Sequence, residues 1–232
     1  MHCDVMSKLE ETLSGSYRKW RMITMQKKYL SELVLTGLFV AIIVVLATTP
    51  LGYVPIGPIR ATIVQIPVIV GVLFCGPKKG AFLGFIFGLT SFITSTIIVN
   101  PVSSFIFSPV VAATQIGMHG IWYSTLICFV PRIIVGILPY WIYIGMKKIS
   151  KRKSVNLAVT GVAGSLTNTV LVLGLIYLLY RNEYATVLEI EPAAVLGVIM
   201  GTVCANGLIE AVLSGVVVSG AGLVLEKIRP IR

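Results

Sequence analysis

The sequence predicts an all-α membrane protein, a bundle of six transmembrane helices, and three observations carry that expectation. Hydrophobic residues fill 56% of its 232 positions and charged residues only 12%, against roughly a quarter charged in soluble domains. A chain so poor in charge cannot solvate its own surface in water. The apolar residues also gather into runs near or above the ~18–20 residues that cross a ~30 Å hydrocarbon core. Finally, the basic residues lie almost entirely between those runs.

The elements follow in order. Residues 1–30 are polar and basic, with Tyr17, Trp20 and Tyr29 set among Arg18, Lys19, Arg21, Lys27 and Lys28. That mixture suits either a helix on an anionic membrane surface or a cytoplasmic tail, and it is not expected to be a cleavable signal. Residues 31–232 form the membrane domain, with spans expected at about 32–48, 61–76, 80–99, 122–146, 155–180 and 193–226. Gly76-Pro77-Lys78-Lys79-Gly80 makes a tight polar break between the second and third spans, and Lys147 to Lys153 separates the fourth from the fifth.

Orientation follows from Lys and Arg, because positive loops stay in the cytoplasm. Sixteen of the 19 cluster before span one, at 78–79, at 147–153 and after 226, all on one side. The other side holds Arg60 and Arg181. Both termini are therefore expected inside, in a multi-pass cell-membrane protein, with the connections 49–60, 100–121 and 181–192 outside.

The 100–121 connection, between helices three and four, is long and apolar, and Pro101, Pro109 and Gly117 interrupt it. Non-helical apolar backbone in a membrane must be buried or line a cavity, which predicts a lid on the bundle. A short extra helical piece is the alternative.

Small residues recur every four positions: Gly80, Gly84 and Gly88 in span three; Gly197, Gly201 and Ala205 in span six; Gly37 and Ala41 in span one. Such stripes let backbones approach closely. The first two read as packing within the bundle, and the third as packing or as a face that docks another membrane subunit.

Two ionisable groups fall inside spans, Arg132 and Glu210, at similar depth. Charges there are costly and face a cavity or a partner. They either pair directly, or Arg132 meets a substrate carboxylate, or Glu210 orients Arg132 in a shared network. Thr167, Asn168 and Asn206 cluster at that depth; Gln65 lies at the outer end of span two; Asn100, Gln115, His119 and Trp122 lie on the outer connection or its border. Apolar walls with converging amides and one cation fit a small polar organic anion. Each Asn taken singly reads more readily as interhelical glue, and it is their clustering at one depth that favours a site.

Several classes lack support. The net charge of +10 is dispersed between apolar runs and forms no basic stripe for nucleic acid. Cys3, Cys75, Cys128 and Cys204 stand far apart without C-x-x-C spacing, so no disulfide or metal framework is expected. No paired intramembrane acids, H-E-x-x-H motif or phosphate loop appears, so neither an enzyme, a cofactor nor ATP hydrolysis by this chain is expected. A stand-alone ion-coupled carrier using Glu210 is a rival, although no inverted repeat is visible. A membrane-embedded enzyme would need more acids or histidines at one depth, and an assembly factor would leave the buried polar cluster unexplained.

The stretch Pro50–Pro109 resembles the substrate-binding S components of energy-coupling factor transporters. The resemblance rests on Thr49-Pro50-Leu51-Gly52, on Ala61 to Gly71 with its Gln65-Ile66-Pro67, on Gly76-Pro77-Lys78-Lys79-Gly80-Ala81, on Phe85 to Ser91, and on Phe107-Ser108-Pro109 and Phe129-Val130-Pro131-Arg132. It implies a six-helix bundle that captures a water-soluble vitamin and joins a transmembrane coupling subunit carrying two ATPases. The pattern is closest to the pantothenate-type members, although riboflavin- and folate-type members share much of it. The family's first-span Ala-x-x-x-Ala contact with the coupling subunit falls here on Gly37-x-x-x-Ala41. On this reading substrate binds under the lid among spans four to six. Arg132 holds its carboxylate, Asn168 and Asn206 bond its hydroxyl or amide groups, and Trp122 and Tyr177 supply walls, with Glu210, Gln65, Asn100 and Gln115 nearby.

Overall fold

The structure, a computed structural model, describes residues 26, 29–49, 52–56, 59–98, 104–228 and 231. The expected surface segment 1–30 lies outside these residues except at 26, 29 and 30, and so does Asn100. The chain divides into two compact units, Met1–Leu38 and Phe39–Arg232. In the first, the described residues are the opening turns of helix α1 (Tyr29–Thr48), where the Thr36 hydroxyl donates to Glu32 O at 2.7 Å.

In the second unit α1 continues with Phe39, Ile43 and Ala47 buried, one stripe at four-residue spacing. Next comes an antiparallel hairpin of β1 (Tyr53–Ile56) and β2 (Ile59–Thr62), with Tyr53 opposite Thr62 and Ile56 opposite Ile59. The hairpin is the one departure from helix among the described elements. Val54, Ile56, Ile59 and Thr62 are β-branched and Pro55 cannot continue a helix, so this apolar segment extends instead of coiling. Helix α2 therefore runs only Gln65–Cys75; its 11 residues rise about 16 Å, short of a membrane core.

Gly76 at φ 85° turns the chain, and Pro77 opens α3 (Pro77–Ile97). The long outer connection is broken, as its prolines and glycine demand, but the pieces are helical: α4 (Ser104–Phe107) and α5 (Pro109–Ile116). Ser108 caps α5 by accepting from Val111 N–H at 3.3 Å, with Pro109 in the first turn. Gly117 at φ 82°, a conformation other residues rarely adopt, ends α5 and starts α6 (Met118–Val135) earlier than expected. The fourth span then breaks at Gly136–Ile137, and Pro139 opens α7 (Leu138–Ile149).

Helix α8 (Lys153–Val187) kinks at Tyr180 and extends well beyond the expected end of span five. The last span is α9 (Val195–Thr202), a π turn at Val203–Gly207, and α10 (Leu208–Ile228). Five stretches among the described residues are long and apolar enough to cross a membrane: α1, α3, α6 with α7, α8, and α9 through α10.

Packing follows the small residues in one case and not in the other. The Gly80–Gly84–Gly88 stripe lies directly on α6, where a Cβ on Gly84 would collide with the Arg132 carbonyl. That contact fixes the depth of Arg132 against α3. Gly197, Gly201 and Ala205, expected inside the bundle, are exposed, and space beside both glycines is open. Helix α10 packs instead on α8, its most extensive neighbour, through buried Ala211, Ser214, Gly215 and Val218. Phe105, Ile106, Ile127, Ile176 and Tyr180 belong to one core cluster that seats α4 on α6 and α8.

Candidate functional site

The site begins with a missing donor. Pro131 sits inside α6 and has no N–H, so the Ile127 carbonyl one turn earlier lacks its helical partner. Arg132 supplies it: a guanidinium N–H donates to Ile127 O at 2.7 Å. The guanidinium also lies 5.5 Å from the Phe87 ring centroid on α3 and 5.0 Å from that of Phe107 on α4, within cation–π range. Arg132 is thus 4% exposed, held by its own helix and flanked by two aromatic faces.

Arg132 lines a cavity between the helices that is partly open at its mouth. Asn168 and Thr169 reach it from α8, Thr202 from α9, Asn206 and Gly207 from the π turn, and Glu210 from α10. Ser91, Thr94 and Ser95 line it from α3 and Thr62 from the end of β2, while Phe107, Val172 and Leu173 form apolar wall. The π turn matters here: an inserted residue brings Asn206 and Gly207 inward, a device common at functional sites. Asn168 (4% exposed), Asn206 (6%) and Glu210 (8%) are as buried as a core, yet all three line the cavity.

Glu210 ties four elements together. Its Oε1 accepts from Thr62 N–H at 2.7 Å, and its Oε2 from the Gln65 amide at 3.3 Å and the Thr169 hydroxyl at 3.4 Å. The same Gln65 amide nitrogen donates to Ser165 Oγ at 2.8 Å. Gln65, fully buried, stands behind the cavity and not on its wall. Asn168 Oδ1 is buried with no protein partner, so a donor from a bound molecule would satisfy it.

A second polar knot holds α4. Tyr180 Oη lies 3.0 Å from Gly120 O and 2.8 Å from Ser124 Oγ, which is itself 3.0 Å from Phe105 O. The kink in α8 at Tyr180 thereby sits where α6, α8 and α4 meet.

Of the residues singled out from sequence, Arg132, Asn168, Asn206 and Glu210 converge on the cavity, with Gln65 behind them. Trp122 does not: it is 75% exposed on α6. Gln115 and His119 are exposed as well. Tyr177 is half-buried, packs on the α4 cluster and carries Arg181 over its ring at 5.4 Å. Thr167 turns back to Ala163 O at 2.7 Å, and its neighbour-but-one Thr169 takes the cavity position. Gly37 and Ala41 are exposed. The hydroxyls of Ser91, Thr94 and Ser95 were missed, although their i, i+3, i+4 spacing marks one helix face.

Apolar helices around a cavity lined by buried polar groups define a multi-pass membrane protein with room for a ligand among its spans. The family model for the substrate-specific component of ECF transporters matches residues 31–221, and the chain belongs to that family, which is one of transporters and not of enzymes. It is 36% identical over 208 residues to the pantothenic acid transporter PanT of Lactococcus lactis subsp. cremoris, covering 88% of this chain and 98% of that one. It is 27% identical over 206 residues to the pantothenate transporter PanT of Leuconostoc mesenteroides subsp. mesenteroides, covering 84% and 92%.

Proposed function

We propose that this chain is the pantothenate-binding S component of an ATP-driven importer, and that the cavity around Arg132 is its substrate site. The carrying observation is Arg132 itself, buried at 4% exposure on a cavity whose other polar groups are amides, hydroxyls and the Glu210 carboxyl. A guanidinium presents a planar fork of donors that matches a carboxylate. Pantothenate offers one carboxylate, with an amide and two hydroxyls for Asn168, Asn206 and the threonines. Both relatives carry pantothenate in their names.

The finer arrangement belongs to the same proposal. The sixth span is α2 extended by β2 and its flanking residues. The positive loops stay in the cytoplasm with both termini, so the cavity opens outward. Helices α4 and α5 act as the lid, since Phe107 covers Arg132 and the Tyr180 knot holds α4 down. Gly37 and Ala41, on the α1 face turned away from Phe39 and Ile43, dock the transmembrane coupling subunit, which carries the two ATPases.

Titration calorimetry on the detergent-purified chain with pantothenate, riboflavin and folate tests the reading. One-to-one binding of pantothenate alone is expected. Binding of riboflavin or folate in its place would reassign the vitamin. Uptake by cells lacking any coupling subunit and ATPases would replace the importer with an ion-coupled carrier in which Glu210 takes the proton.

A further inference from the structure

Two opposite charges line one cavity, and the proposed function uses only the positive one. Two N–H groups donate to the Glu210 carboxyl, those of Thr62 and of the Gln65 amide, and the Thr169 hydroxyl, whose proton also reaches Ser165 O at 3.3 Å, lies 3.4 Å from it. The Thr62 N–H has no accepting capacity. Two N–H donors aimed at one carboxyl favour its anionic form.

The carboxylate is fixed from three directions and still lines the cavity. Of its roughly four lone-pair sites, three are engaged, which leaves room for one donor from a ligand. Beside it, Asn168 Oδ1 is buried without a protein partner. This part of the wall therefore accepts hydrogen bonds and repels negative charge. The Arg132 guanidinium, with donors and no acceptor, does the reverse.

We propose that Glu210 is a specificity-determining residue. It confines the site to ligands with one negative charge and hydroxyl or amide donors elsewhere, and turns away any ligand carrying a second anionic group at its far end. The proposal rests on the pantothenate reading, which assigns the single carboxylate to Arg132. Its consequence is that a phosphate ester of the vitamin, or a dicarboxylate of similar length, is rejected by charge and not by size.

The test compares pantothenate with two esters of its terminal hydroxyl, a phosphate and a neutral carbamate of similar bulk, by calorimetry on wild-type and Glu210→Gln protein in detergent. The wild type should bind the carbamate within about tenfold of pantothenate and the phosphate at least ~100-fold more weakly, as a desolvated like-charge contact demands. In Glu210→Gln the phosphate penalty should shrink to about tenfold. Equal rejection of carbamate and phosphate by the wild type makes size the filter and overturns the proposal. So does an unchanged phosphate penalty in a folded Gln variant. Should that variant not fold, the wild-type comparison decides alone. A wild type that binds no pantothenate overturns the underlying function as well, whereas one that binds all three ligands alike overturns only the charge filter.

Discussion

A proline decides what the neighbouring arginine can do. Because Pro131 leaves Ile127 O without its helical donor, Arg132 is anchored at one guanidinium nitrogen while the side chain faces the cavity. Arg132→Ala should remove the fork that meets the carboxylate. Losing a desolvated charge-assisted contact of about 3 kcal/mol or more corresponds to at least ~100-fold weaker pantothenate binding. Calorimetry measures it, and circular dichroism shows that the variant is folded; near-normal affinity would remove Arg132 from the site. Pro131→Ala gives the complementary case. The new backbone N–H competes for Ile127 O, so Arg132 loses its brace. Affinity should fall by about tenfold while thermal stability holds or rises, since a helical hydrogen bond of ~1 kcal/mol is added. A variant that loses stability in step with affinity would mean that Pro131 acts through packing alone. Residue chemistry of this kind was partly legible in sequence. Arg132, Asn168, Asn206 and Glu210 stood out because polar groups are expensive inside apolar runs. Trp122 and Tyr177 misled because depth along a helix says nothing of rotation about its axis.

Between helices, one small-residue stripe packs and another does not. On α3, Gly84 leaves no room for a methyl group against the Arg132 carbonyl, whereas Gly201 faces open space. Gly84→Ala should push α3 off α6 and destabilise the protein by roughly 1–3 kcal/mol, displacing Arg132 as it does so. Gly201→Ala should leave the melting temperature near the wild-type value and raise it if anything, since Ala is the better helix former by about 1 kcal/mol. Melting curves in detergent separate the two, and equal losses at both sites would contradict the packing. Sequence spacing could not distinguish these stripes, since both read as grooves. The spans themselves were legible from apolar run length. The shorter α2 was not, because hydropathy counts Ile59 to Val64 as membrane-like whether it coils or extends. The break between α6 and α7 did leave a signal in Gly136 and Pro139, but the apolar run continues through it. The π turn at Val203–Gly207 has no mark in the sequence, and it is what presents Asn206 to the cavity.

At the scale of the whole molecule, the proposed function assigns capture and coupling to different parts of the protein. The cavity is built from β2, α3, α4, α6, α8, α9, the π turn and α10, and α1 contributes nothing to its lining. Ala41 lies two residues from both Phe39 and Ile43, which places it about 200° around the helix from the buried stripe. Gly37 precedes it by about one helical turn, and both residues are exposed. A lipid-facing helix has no need of small residues, since leucine serves lipid better; a face cleared for a second backbone does need them. Gly37→Leu with Ala41→Leu should therefore leave pantothenate binding by the isolated chain within about twofold of wild type, well under the ~1.4 kcal/mol of a tenfold change. The same variant should fail to copurify with the coupling subunit and its ATPases, and should lose uptake in cells. Calorimetry, copurification and radiolabelled uptake on the one variant tell the roles apart. Loss of binding would mean that α1 shapes the cavity from a distance, and normal uptake would move the docking face elsewhere on the bundle, with the exposed Gly197–Gly201 stripe the next surface to fill.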